Sequence, residues 1–528
     1  MFSLLYYQKH KKIFYFIILL IFSITVNQYY GYKGINPIDS FFSFNSGYDV
    51  LNGYYPFKDY WTITGPFIDF IQALFFKIFG VSWFSYVLHA SIINFLFVIS
   101  TFYILNKLEL DISYSFLYSF FLLFLAYPSS GTPYVDHQSS YFSIIAIYCF
   151  ILAVKTNFKF YWFFLPIILG IAFLTKQAPS AHIFIIILLL SIIYFIYNFN
   201  IKSLLYIFLG SILFSLFVII IFKIAEIPFY LFLEQYILFP FSLGENRLDF
   251  LFPLEFKRIF LRFKLIHLSL LILIIVIFQN TIKNFKYLIN VDSLVAASLI
   301  GSSFALIAHQ LMTINGIFIF FMIPILCGFS HIYYLKYLTS KNYVVLFLVI
   351  LSFSSTLHYS YKYIYKRDFL DLSKVNISSA INANALDKKL NGVKWITTLY
   401  PNNPKQEINL LNEAIEVIKN DNSNKVLVTD YQFISVVLDI YDYSPNKYWY
   451  KHHVYPTINE KYFENYRKFF INQLLKNKIE TIYTIKPLWG DDNVLEDILE
   501  DDCIKKTLIT PILDKSSLLN CNSLKMEK

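Results

Sequence analysis

The chain has 528 residues, 57% hydrophobic and 20% aromatic, with charged residues at only 15%, against about 25% in soluble domains. Apolar runs of roughly 17–25 residues, the length that crosses a bilayer core, recur through the first two thirds; they exclude a soluble enzyme and predict a polytopic α-helical membrane protein. The formal net charge of +9 does not point to nucleic acid, because the lysines are spread over short inter-helix loops, as the positive-inside rule expects.

In chain order, "MFSLLYYQKHKK" precedes an apolar run from Ile13 to about Val26 with no small-residue cleavage site, which reads as a signal anchor with a cytoplasmic N-terminus. Spans are expected near 13–28, 86–105, 115–130, 139–154, 160–175, 182–198, 204–224, 265–280, 292–308, 316–334 and 343–360, about 11 in all. Lys155, Lys159, Lys202, Lys283, Lys286, Lys336 and Lys341 then fall in cytoplasmic loops. The 29–85 segment, the "YPSSGTPYVDHQ" loop at 127–138 and the 225–264 connection fall outside. Within the large outer loop, "PFIDFIQALFFKIFG" is too short and charged for a span and reads as an amphipathic helix at the membrane surface.

The first 366 residues form the membrane domain on this reading, and 367–528 an extracytoplasmic α/β domain. In the tail, "EINLLNEAIEVIKN" and "EKYFENYRKFFINQLLKN" have helical periodicity, whereas "KVLVTDYQF" and "KIETIYTIKP" read as strands. No Gly-rich phosphate loop or catalytic signature appears there. Cys149 and Cys327 lie in apolar segments as packing residues, and Cys503 and Cys521 can pair if the tail faces an oxidising compartment. Only five residues are Arg, while Asn, Ile, Phe and Tyr abound, a bias that fits a low-GC, bacterial genome.

Acids gather on the expected outer side: Asp39, Asp49 and Asp59 in the first loop, Asp136 in the second, and Glu234, Glu245 and Asp249 in the long connection. Most loop carboxylates are simply solvated. Asp39 and Asp136, however, each lie close to a span end, where ionisable groups usually mark function. Asp136, His137 and Gln138 together offer an acceptor, a titratable ring and an amide; a divalent metal there is an open alternative, although no Cys/His spacing resembles a zinc site. "FLTKQAPS" places Lys176 and Gln177 at a span end, where Lys176 either snorkels or binds phosphate. "EQYILFPFSLGENR" offers Arg247 on a Gly-Glu-Asn turn, as a solvated loop or a closing lid. His309, Gln310 and Asn315 bracket a short turn and are lesser candidates, since polar residues at span ends are more often caps.

The order of these phrases along the chain carries a resemblance. An Asp shortly after the first span, then "VLNGYYPFKDYW", "GPFIDFIQALFFKIFG", "LGIAFLTKQAPS" and "FFMIPILCG" resemble the GT-C superfamily of membrane glycosyltransferases over about residues 10–335. The likeness is to the bacterial branch with protein mannosyltransferases and lipid A aminoarabinose transferases. It implies transfer of a sugar from a polyprenyl-phosphate carrier, without a nucleotide donor, to a glycan, lipid or protein acceptor at the outer face of the bacterial inner membrane. By the same resemblance Asp39 matches the first-loop acid expected as base and Asp136 a second-loop acid. The family's Asp-Glu is Asp39-Ser40 here, so no neighbouring Glu shares the role.

Elementary chemistry agrees with such a set. A sugar hydroxyl needs a carboxylate to take its proton, and a departing phosphate diester needs cations. Asp39 with Lys176 or Arg247 supplies both. Asp59 is expected to bind sugar hydroxyls, with Tyr60 and Trp61 offering ring faces and His137 and Gln177 adding polar contacts. A lipid-linked sugar flippase and an O-antigen polymerase or ligase are the alternatives. The first is disfavoured by the absence of an internal repeat, the second by the scarcity of Arg.

Overall fold

Inside a bilayer every backbone N–H and C=O has to be satisfied within the chain, so the apolar runs are bound to be helical. The computed structural model describes residues 2–126, 131–156, 158–251, 255–283, 290–313, 318–338, 342–489 and 494–519. Its first helices are α1 (Phe2–Gly31), α2 (Pro37–Ser40), α3 (Phe42–Leu51), α4 (Phe67–Phe79), α5 (Trp83–Lys107) and α6 (Ile112–Leu125). Then come α7 (Val135–Thr156), α8 (Lys159–Thr175), α9 (Gln177–Tyr197), α10 (Ile201–Ile224), α11 (Phe229–Phe232) and α12 (Phe239–Leu251). The last long apolar helices are α13 (Lys264–Lys283), α14 (Val291–Met312), α15 (Met322–Tyr337) and α16 (Asn342–Ser360).

Among the described residues, eight helices are long and apolar enough to cross a membrane. Three more, Ile112–Leu125, Lys159–Thr175 and Lys264–Gln279, are apolar but shorter. Each expected span falls on one of these helices, and the chain is a multi-pass helical membrane protein with a small C-terminal sheet.

Two compact units divide the chain. The first comprises Met1–Gly31, Ala90–Ile219 and Arg247–Phe369. Here α7 packs along α8, α9 and α14, while α15 packs along α6, α13 and α16. Phe97 stacks on Tyr141 with ring centroids 4.3 Å apart, and Phe321 meets Tyr141 edge-on. Gly131 fixes the entry to α7: its φ is +76°, and a Cβ there would lie 2.6 Å from the Gly31 Cα. Asn27 donates to the Gly131 carbonyl. Only glycine meets both requirements.

The second unit comprises Tyr32–His89, Ile220–Asn246 and Leu370–Lys528. Residues of the first outer loop and of the tail share this one unit. The physical reason is backbone pairing and a common core. Gly34 and Ile35 donate to the carbonyls of Lys394 and Ile396, Lys394 donates to Tyr32, and Trp61 donates to Pro445. Phe41 lies against Trp395 and Phe433. The tail adds β1 (Ile381–Asn382), β2 (Lys394–Trp395), α17 (Pro404–Asn420), β3 (Lys425–Thr429), α18 (Ile434–Leu438), α19 (Phe463–Lys476), β4 (Thr481–Ile485), α20 (Val494–Ile498), β5 (Ile504–Thr510) and β6 (Leu513–Leu518).

The larger sheet has the order β3-β4-β6-β5, with β3 and β4 parallel and the other neighbours antiparallel. Strands β3 and β4 are buried along their whole length, as continuous apolar strands of a covered sheet should be. The two helices and two strands expected in the tail are present; the β5–β6 hairpin is additional. Cys503 is disulfide-bonded and Cys149 and Cys327 are free; Cys521 lies outside the described residues.

Helix α4 is the amphipathic segment expected at 66–80. Asp69 and Gln72 point into the unit, whereas Leu74, Ile78 and Phe79 are exposed. The inner face mixes Asp69 and Gln72 with Ile68, Ala73 and Phe76, and the apolar outer face suits contact with lipid.

Candidate functional site

In the first unit, the site grows from a break between two helices. Helix α8 ends at Thr175, and Lys176 is extended (φ −159°, ψ 139°) before α9 starts at Gln177. Ser139 and Ser180 both donate to the Lys176 carbonyl, at 3.2 and 2.5 Å. The break turns the ammonium onto Asp136 in the first turn of α7, with Nζ 2.7 Å from each carboxylate oxygen. Asp136 is buried, and a charge there requires such a partner.

The third member comes from the end of α14. Nε2 of the buried His309 lies 3.6 Å from Asp136 Oδ1 and makes no hydrogen bond among the described residues. His182 and Arg247 are within electrostatic reach of the same imidazole. The structure thus brings together Asp136 and Lys176, two residues expected at the site, with Arg247 in the electrostatic surroundings of His309. It adds His182, which the sequence reading missed, and raises His309 from a lesser candidate to a central one. His182 was findable as an ionisable residue inside an apolar span.

Several placements differ from expectation. Arg247 lies within helix α12, not on a turn. His137, next to Asp136, points elsewhere: successive helical side chains diverge by about 100°, and its ring sits between Tyr134 and Tyr141. Gln177 opens α9 and is half-buried. Asn315 lies outside the described residues. At Asp136 both carboxylate oxygens accept from Lys176, whose ammonium supplies the positive charge there. Glu500, Asp502 and Cys503 lie close together, but the Cys503 sulfur is committed to a disulfide, leaving two exposed carboxylates.

The second unit holds the other expected residues. Asp39 is half-buried in α2, in the first turn after Pro37. Asp59 accepts from the Tyr55 amide at 2.9 Å and lies 3.5 Å from Lys476. Tyr60 and Trp61 offer no open ring faces: both are buried. The Tyr60 hydroxyl donates to Asp69 at 3.2 Å, and Trp61 packs on Phe239, Tyr466 and Phe469. Both are core residues, because the loop folds onto the tail.

Beside them lies a charge cluster not foreseen in the sequence. Lys447, fully buried, is 2.6 Å from Asp49 and 3.2 Å from Asp442. Asp69 accepts from Ser46 at 2.6 Å. Burial pushes the Asp69 carboxyl up to about 7, against hydrogen bonds from Ser46 and Tyr60 that favour its ionised form. Asp49 is also pushed up to about 7, by burial foremost, with Lys447 opposing and Asp442 adding to the rise. Two carboxylates share the Lys447 ammonium, and Asp69 lies near enough to feel its charge.

A multi-pass helical membrane protein with a cationic, acid-anchored site at a helix break is the class that fold and site define. Two solved structures are similar to it: ArnT from Cupriavidus metallidurans bound to undecaprenyl phosphate, at 10% identity over 98% of this chain and 100% of that one with TM-score 0.47, and ArnT from the same organism in the apo state, at 10% over 99% and 100% with TM-score 0.45. No family model and no curated protein matches the chain.

Proposed function

We propose that the chain is a GT-C-type inverting glycosyltransferase of the bacterial inner membrane. It moves a sugar from a polyprenyl-phosphate carrier to a cell-surface glycan, lipid or protein. The observation that carries this reading is the Lys176 ammonium held on the buried Asp136 at a helix break, with the His309 imidazole beside them. A phosphate at a membrane boundary is the anion this reaction would present to that ammonium. The ordered sequence phrases from Asp39 to "FFMIPILCG" support the same reading.

In the mechanism, Asp39 takes the proton of the acceptor hydroxyl as it attacks the anomeric carbon, and the carrier phosphate leaves with the bond electrons. Lys176 and Arg247 stabilise the charge that develops on it. Asp136, expected as a second catalytic acid, is held through both oxygens by Lys176, which suits it to positioning that lysine and not to accepting a proton. Asp59 remains a candidate for sugar hydroxyls, and His137 and Gln177 for polar support. A disulfide at Cys503 fits an oxidising compartment and hence an extracytoplasmic tail, with the N-terminal lysines in the cytoplasm.

The test is mass spectrometry of surface glycans in a deletion strain, complemented with the wild-type chain or Asp39→Asn. A glycan that loses one sugar on deletion, returns with wild type and stays absent with Asp39→Asn supports the reading. An unchanged glycome together with altered transbilayer movement of the carrier sugar would favour a flippase.

A further inference from the structure

The first unit has a second feature, at the end of the bundle away from Asp136. Asp136 and Lys155 stand 19 residues apart on α7, on the order of 28 Å. Lys155 shares a cavity with Lys107, Asp292 and Lys336. Lys107 therefore marks the opposite end of the bundle. It also lines a larger groove of about 610 Å³ between α1 and α5, together with Lys12, Asn106, Ile13, Phe16 and Phe102.

Two properties distinguish this groove from an ordinary lipid-facing furrow. Its charges are uncompensated. In the neighbouring cavity Lys155 and Lys336 both pair with Asp292, but Lys12 and Lys107 make no ion pair among the described residues. Glu109, two residues beyond Lys107, lines the neighbouring cavity and not the groove. The walls are also sorted by chemistry. Ile13 and Phe16 on α1 are 48% and 41% exposed, and Ile99 and Phe102 extend the apolar wall along α5. Lys12, Asn106 and Lys107 form the polar end. Scattered helix-end lysines snorkel independently; here two from different helices converge on one apolar slot.

We propose that this groove is a binding site for an anionic diacyl phospholipid. Its phosphodiester headgroup is held by Lys12 and Lys107, with Asn106 beside them, and an acyl chain lies along Ile13, Phe16, Ile99 and Phe102. The observation behind the choice of occupant is charge complementarity, since basic pockets between spans take anionic headgroups. The site is separate from the one assigned to the carrier, so it stands whether or not the chain transfers sugar.

The test uses the full chain purified in detergent and native mass spectrometry with added dioleoyl phosphatidylglycerol, dioleoyl phosphatidylcholine or glycerol phosphate. One phosphatidylglycerol should be retained in preference to phosphatidylcholine, and glycerol phosphate should not compete, because it lacks the acyl chain. Lys12→Gln and Lys107→Gln should each weaken retention about fivefold. Ile99→Trp fills the apolar part while keeping both lysines, and should also lower retention; size-exclusion profiles establish that each variant is folded. Equal retention of the two lipids by wild type, or unchanged phosphatidylglycerol retention in the folded Lys12→Gln/Lys107→Gln double variant, overturns the site. Competition by glycerol phosphate would replace it with a simple phosphate site.

Discussion

In the first unit one buried carboxylate is matched by one ammonium, whereas in the second one buried ammonium is shared by two carboxylates. Around Asp136 one carboxylate meets Lys176, with His309, His182 and Arg247 close by. Around Lys447 one ammonium meets Asp49 and Asp442, with Asp69 near them. A buried cluster short of positive charge is completed by keeping a proton. The first is the one proposed to meet the carrier phosphate, and the second ties the first outer loop to the tail, since Asp49 comes from the loop and Lys447 and Asp442 from the tail. Asp39, the proposed base, is the exception: it lies in the unit of the second cluster, but the work proposed for it is chemistry and not support of the fold.

That exception gives the largest expected effect. Asp39→Asn keeps shape and hydrogen bonding but removes the basic carboxylate, so turnover should fall about 10²–10⁴-fold. Folding and donor binding should change little. The measurement is transfer by purified protein in nanodiscs with a polyprenyl-phosphate sugar, with binding assayed separately. Full activity at normal expression would return Asp39 to the solvated loop acids.

Lys447→Met should show the reverse pattern. It leaves Asp49 and Asp442 buried without their cation, and breaking a buried pair costs about 3–5 kcal/mol. Thermal unfolding of the full chain should shift down strongly, while the folded fraction retains donor affinity. A variant that loses donor binding at unchanged stability would give this cluster a ligand role and collapse the contrast.

Lys176→Ala is the corresponding test of the first cluster. Removing a charge-assisted contact of about 1.5–3 kcal/mol should weaken binding of the carrier phosphate roughly 10–100-fold and lower turnover with it. Asp136→Asn should do the same if the carboxylate positions the lysine. It should leave donor affinity intact and reduce only turnover if Asp136 is itself a proton acceptor. Measuring KM and kcat for both variants separates the two roles.

How far the sequence reached follows the same division. Spans were legible because a bilayer imposes one period and one length on any apolar run. Lys176 and Asp136 were legible because charges beside spans are costly and therefore informative. Their partnership was not, since it depends on a break at Lys176 that turns one side chain onto a helix 40 residues earlier in the chain. Tyr60 and Trp61 looked like sugar platforms because aromatics in a loop suggest exposure. They are core because Trp61 pairs with Pro445, a contact between segments far apart in sequence. Lys447, in "SPNKYW", carried no local sign that it would be the one cation among three acids.

The smallest effect tests the proton of the second cluster. Asp49 and Asp69 ordinarily titrate near 3.8 and are raised to about 7 in the folded chain, both mainly by burial. A carboxyl whose pKa is raised by folding binds its proton more tightly in the native state, so the native state is favoured while the proton is present. That contribution is complete below the ordinary carboxylate range and is lost as pH rises from about 4 through about 7. Unfolding of the full chain should therefore move down by roughly 2–4 °C between pH 5.5 and 8.0. Asp69→Asn donates and accepts hydrogen bonds in the same place without a charge to desolvate, so it should reduce this dependence to the part that Asp49 contributes. The same substitution leaves the Asp136–Lys176 pair untouched and should not alter donor affinity. Stability that rises from pH 5.5 to 8.0 in the wild type, with the rise abolished by Asp69→Asn, would mean that the carboxylate is ionised and paired at neutral pH, and the second cluster would then no longer be short of a cation.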